Sequence, residues 1–192
     1  MEYCTLGNSM LKISRIGFGT MSLEAENPVS GRLLLQALDG GMNYFDTADL
    51  YQQGKLESLI GKTFLNKRDQ VVLCTKVGNQ WRADGTGWDW NPSKKYILDS
   101  VDQSLKRLQT DYIDLYQLHG GTLEDPINDI VEAFEFLKKT GKIRYYGISS
   151  IRPTVIREYV KRSAIISVMM QYSLLDRRPE EEMLPFLKEK MV

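Results

Sequence analysis

Two rhythms of apolar residues alternate along the chain. One is the short unbroken run, clearest in Val71-Val72-Leu73-Cys74-Thr75-Lys76, which suits a strand buried on both faces of a parallel sheet. The other repeats every three or four positions and predicts helices that bury one stripe. Leu33, Leu34, Ala37 and Leu38 carry it within Gly31–Asp39, and Gly40-Gly41 stops that helix. Leu56, Leu59, Ile60 and Phe64 mark a second helix. Ile97, Val101, Leu105 and Leu108 mark a third, opened by Pro92-Ser93 with Ser93 as its N-cap. Ile127, Ile130, Val131, Phe134 and Leu137 mark a fourth, begun at Pro126 and ended by Gly141. A fifth starts at Pro153 and runs through about Arg162, and a last one, Pro179 to Lys190, is interrupted or restarted at Pro185.

Strands are expected at Ile13–Met21, Asn43–Asp46, Val71–Lys76, Tyr112–Leu118, Ile143–Ile148 and Ile165–Met170, with a long loop over Gly78–Asn91. Strand then helix, six times over, argues for a parallel sheet with helices outside it. An open doubly wound sheet is one such form, but neither GxGxxG nor GxxxxGK[ST] follows any strand. The side chains suited to chemistry sit instead at the C-terminal ends of several strands, which is the habit of the barrel. The expected fold is α/β, of the (β/α)8 TIM-barrel type, a single incomplete domain over residues 1–192 with about six of eight units present.

Composition adds exclusions. Lys plus Arg and Asp plus Glu both count 25, so the net charge is zero and a polyanion such as nucleic acid is not an expected partner. No apolar stretch reaches the about 18 residues that span a bilayer, and the N-terminus carries no basic segment followed by an apolar run. Cys4 and Cys74 form no CxxC, which suits a reducing, cytoplasmic setting. One histidine in the whole chain gives no expectation of a metal site.

The candidate chemistry lies at strand ends. Asp46 ends the second strand and Tyr51 follows in the loop; Lys76 ends the third strand and His119 the fourth. A phenol titrates near about 10, too high for a fast proton donor at neutral pH. An ammonium beside it favours the phenolate, a carboxylate holds the ammonium, and an imidazole orients a carbonyl oxygen. Together these groups would donate a proton during carbonyl reduction, with hydride from a cofactor. Each also has a duller reading: Lys76 as a solvated strand end, His119 as a hydrogen-bonded core residue, Asp46 as a turn cap, Tyr51 as packing. Gly17 and Gly19 read equally as a plain turn or as a place where something approaches the backbone.

Several runs resemble the aldo-keto reductases, closest to the bacterial, NADPH-using branch related to general-stress reductases. They are Gly17-Phe18-Gly19-Thr20, Asp46-Thr47-Ala48-Asp49-Leu50-Tyr51, Thr75-Lys76, Asp111 through His119, Gly147-Ile148-Ser149-Ser150 and Gln171 through Asp176, in family order. The resemblance implies NAD(P)H-dependent reduction of a small aldehyde or ketone, with NADPH expected and NADH the alternative. It implies Tyr51 as general acid, Lys76 and Asp46 as groups that tune it, and His119 as the residue that orients the substrate. Ser149, Ser150 and Gln171 match positions that hold the nicotinamide carboxamide, and Gly19-Thr20-Met21 match the segment near its ribose. Trp81, Trp88 and Trp90 fall in the loop that often walls the substrate pocket, where they read equally as an aromatic wall or as ballast for a long loop.

Members of the family run longer than this chain, so it is expected to be a C-terminally truncated barrel, lacking part of the grip on the cofactor. Unpaired strand edges would favour self-association. The competing reading is a catalytically inactive remnant, or an interaction module on the reductase scaffold.

Overall fold

The computed structural model describes residues 1–192. It begins with an antiparallel hairpin, β1 (Tyr3–Thr5) and β2 (Lys12–Ser14), followed by β3 (Phe18–Gly19), α1 (Pro28–Asp39), β4 (Tyr44–Asp46), α2 (Lys55–Phe64) and β5 (Val72–Val77). A second hairpin, β6 (Asn79–Trp81) and β7 (Trp88–Trp90), precedes α3 (Lys94–Leu108) and β8 (Ile113–Leu118). Then come α4 (Ile127–Lys139), β9 (Ile143–Ser149), α5 (Pro153–Arg162), β10 (Val168–Met169) and α6 (Met183–Lys190).

Six strands form one all-parallel sheet in the order β3-β4-β5-β8-β9-β10. Spatial order follows chain order throughout, so the sheet has no reversal point of the doubly wound kind. It is the open half of a barrel, with β3 and β10 as its two edges. β5 alternates between two environments: Leu73 and Val77 pack against the helices, while Val72 and Cys74 face the concave side. There Leu11 and Ile13 of the first hairpin join Val72, Cys74, Leu115 and Ile166 in a small cluster. That cluster seals the half-barrel near the strand starts and leaves the C-terminal ends open.

The caps explain where helices begin. Asn27 accepts the Val29 N–H at 2.9 Å ahead of Pro28, and Ser93 accepts the Tyr96 N–H at 3.3 Å as expected. Three expectations need correction. The strand foreseen over Ile13–Met21 is broken, because Ser14 exchanges hydrogen bonds with Asn43 and its hydroxyl donates to Ile16 O. That turn sends Lys12–Ser14 to the hairpin and only Phe18–Gly19 to the sheet. The sixth strand shrinks to Val168–Met169 at an edge with one neighbour. The last helix, expected from Pro179, begins as a separate 3-10 turn over Arg178–Glu180 and restarts as α6 at Met183, with Pro185 in the first turn, where no backbone N–H is required.

Candidate active site

The alternation that buries Leu73 and Val77 against the helices turns Lys76 inward, leaving its side chain 1% exposed. Its ammonium donates to Asp46 Oδ1 and Oδ2 at 2.6 and 2.7 Å, and to the Thr47 carbonyl at 2.7 Å. Asp46 arrives from the neighbouring strand, and Thr20, at the end of β3, ties it down: its N–H and its hydroxyl both donate to Asp46 O at 3.0 Å. Beyond β4, Tyr51 lies with its ring centroid 5.3 Å from Lys76 Nζ and meets His119 edge-on at 5.9 Å. Asp46, Lys76 and His119 at strand ends and Tyr51 beyond β4 therefore form one constellation.

Burial dominates its electrostatics. It works to discharge Lys76, but Cys74, Asp46 and Tyr51 together overcome it, and the Lys76 pKa is raised. Burial also raises Asp46, with only partial relief from Lys76. For Tyr51, burial raises the phenol while Lys76 draws it down. Lys76 thus acts in the expected direction, yet the net shift is the reverse of the expectation. His119 is lowered to about 4 by burial and by Lys76, so it is neutral at neutral pH. Its Nδ1 is buried with no hydrogen-bond partner.

A cleft of about 760 Å³ opens beside His119 at the strand ends, and Ser149, Ser150, Gln171 and Trp88 line it. The Ser150 hydroxyl accepts the Arg152 N–H at 3.2 Å, whereas the side chains of Ser149 and Gln171 have no protein partner. Ser149 and Gln171, two polar side chains without a protein partner, line one cleft with His119, which fits a planar ring bearing an amide, as a nicotinamide does. Gly19 offers open space at its Cα, Thr20 is buried with its hydroxyl committed to Asp46, and Met21 is 66% exposed.

Trp81, expected either to wall the substrate pocket or to brace its own segment, sits beside the cleft. It does not line the cleft; its indole N–H donates to Leu50 O at 3.0 Å, above a polar hollow shared with Asp49 and Gln53. The segment Gly78–Asn91 is a hairpin rather than a loop. Trp90 of the expected aromatic trio borders the cleft, and so does Asn79, which the sequence did not single out. Trp90 packs over Gly78 and Gly120, where an added Cβ would stand 2.5 and 3.2 Å from its ring, and its N–H donates to Asp125 at 2.9 Å. Asn79 donates from Nδ2 to His119 O at 3.1 Å, fixing the histidine backbone. Gly78 and Gly120, just past the ends of two neighbouring strands, were the signal in the sequence for a ring stacked close to the backbone.

The profile of the Aldo/keto reductase family matches residues 15–192. The uncharacterized oxidoreductase YqkF of Bacillus subtilis is 56% identical over 187 residues, spanning 97% of this chain and 61% of that protein. Aldo-keto reductase YhdN of the same organism is 34% identical over 200 residues, spanning 100% of this chain and 60% of its own length. The structure of the aldo-keto reductase AKR11C1 from Bacillus halodurans, in its holo form, superposes with a TM-score of 0.97 at 56% identity, over 100% of this chain and 64% of that one. The chain thus spans about three-fifths of the length of these relatives.

Proposed function

The chain belongs to the aldo/keto reductase family, and on that premise we propose that it reduces small aldehydes or ketones to alcohols with NAD(P)H, using Tyr51 as the general acid. The observation that carries this reading is the buried ion pair of Lys76 and Asp46 beneath a phenol that also touches His119. Nicotinamide, when bound, supplies the hydride. As the carbonyl oxygen gains negative charge, the Tyr51 hydroxyl gives up its proton to it, and the Lys76 ammonium stabilises the phenolate left behind. Asp46 keeps that ammonium charged and in place. Neutral His119 donates an N–H to the same oxygen and so orients it toward the phenol.

Ser149, Ser150 and Gln171 would hold the carboxamide, and Gly19, Thr20 and Met21 would flank the ribose. Trp88, with Tyr51 and His119, would contact the substrate. NADPH is the proposed cofactor, with NADH as the competitor. The two free thiols, Cys4 and Cys74, suit a reducing cytoplasm. No helix is long and apolar enough to cross a membrane.

A second reading is an interaction module without turnover, or a self-associating scaffold. Titration of the purified chain with NADPH, followed by tryptophan fluorescence, separates the two. Saturable binding and aldehyde-dependent NADPH consumption support the reductase; a folded chain that binds no nicotinamide supports the module.

A further inference from the structure

Three members of the catalytic set are delivered by strands or directly behind them, but Tyr51 opens a short 3-10 turn beyond β4; Lys76 holds the start of that connection through the Thr47 carbonyl and the Asp49 N–H, and the ties nearest Tyr51 lie outside the set. Directly after Tyr51 the backbone is left-handed at Gln52 (φ 50°) and Gln53 (φ 56°), a conformation that residues other than glycine keep only under constraint. One constraint comes from Gln52 itself. Its Nε2 donates to Leu23 O at 2.6 Å and its Oε1 accepts the Ala25 N–H at 3.1 Å, clasping the segment after β3. The other comes from Trp81, whose indole N–H reaches the carbonyl of Leu50, the residue directly before Tyr51. That carbonyl also accepts the Gln53 N–H at 3.3 Å, a bond internal to the loop, so the indole is its link to the rest of the protein.

The same hairpin faces the cleft. Trp81 and Trp88 are cross-strand partners and stand side by side on one face of the β6–β7 ribbon. Trp88 lines the cleft while Trp81 grips the Tyr51 loop. We propose that Trp81 is a positioning residue for Tyr51: its hydrogen bond to Leu50 holds the phenol over Lys76 and beside His119, and the hairpin joins substrate contact at Trp88 to placement of the acid. The hydrogen-bonded tie is independent of any chemistry, whereas its catalytic consequence rests on the reductase reading of Tyr51.

Trp81→Phe keeps an aromatic ring and removes the N–H. Two readouts on the full chain test the proposal: amide hydrogen exchange, and steady-state reduction of an aldehyde such as benzaldehyde. One lost hydrogen bond should speed exchange over Leu50–Gly54 by about tenfold while Val72–Val77 stays as in the parent. It should lower kcat by about tenfold and leave KM for the aldehyde within about twofold, because the acid is misplaced and the cleft is not. Unchanged exchange over Leu50–Gly54 overturns the proposal. Faster exchange that extends to Val72–Val77 also overturns it, since Trp81 would then only support the fold. A rise in KM with kcat retained would return Trp81 to the substrate wall. A parent chain that turns over no aldehyde counts against the reductase reading, and the exchange comparison then decides the tie by itself.

Discussion

Burial lowers the His119 pKa to about 4, and this has a measurable consequence for stability. An unfolded histidine takes up its proton near about 6.5, so between these values the unfolded chain holds a proton that the folded chain refuses. Stability contributed by neutral His119 is therefore present at neutral pH and is lost as pH falls through that window. Urea unfolding at about pH 7 and about pH 5 should show the parent losing about 2 kcal/mol more than His119→Gln. Equal pH responses in parent and variant would contradict the burial assigned to the imidazole. At this scale the sequence was informative about identity and less so about environment. Asp46, Tyr51, Lys76 and His119 were legible because each sits at or just past the end of an apolar run. The net direction of the Tyr51 shift was not, since it depends on how much water the fold removes. The partner of Trp81 was hidden for a related reason, because it depends on which way a short hairpin leans.

Helix packing places the strand ends that carry the site. Gly61 lies inside α2, facing the C-terminal end of α3. A Cβ there would fall on the Arg107 carbonyl oxygen and within 2.6 Å of the Leu108 carbonyl carbon, which are backbone atoms that cannot swing aside. Next to this contact, fully buried Glu57 accepts from Arg107 Nε and from the Thr75 hydroxyl, both at 2.6 Å, and so joins α2 and α3 to the residue before Lys76. Gly61→Ala should therefore destabilise the chain by about 1–3 kcal/mol in urea unfolding, despite the better helix propensity of alanine. A stabilised variant would contradict the close approach of α2 and α3. Helix existence was legible from the 3.6-residue rhythm and the caps at Ser93 and Pro126. The first and last strands were not bounded correctly, because Ile13 pairs with Cys4 in the first hairpin and Ile165 enters the core that packs under the helices before the sheet pairing begins. The β6–β7 hairpin was hidden by its length, since two three-residue strands leave too few positions for an alternation to be seen.

For the whole molecule, the sequential order of six parallel strands puts every strand's C-terminal end on one rim, and chemistry gathers there without any glycine-rich phosphate loop. This arrangement was legible from the repeated strand-helix alternation together with the place of Asp46, Lys76 and His119 at strand ends. A barrel mouth assembled from separate units also means that no single motif carries the function, and only the set does. The measurement that tests this most directly compares NADPH consumption with an aldehyde by the parent chain and by Tyr51→Phe, with NADPH binding measured on both. Tyr51 as proton donor predicts turnover in the parent, a fall of about 10²–10⁴-fold in the variant, and equal cofactor affinity. Equal turnover by the two proteins would contradict it, and so would a parent that binds NADPH yet reduces no aldehyde or ketone.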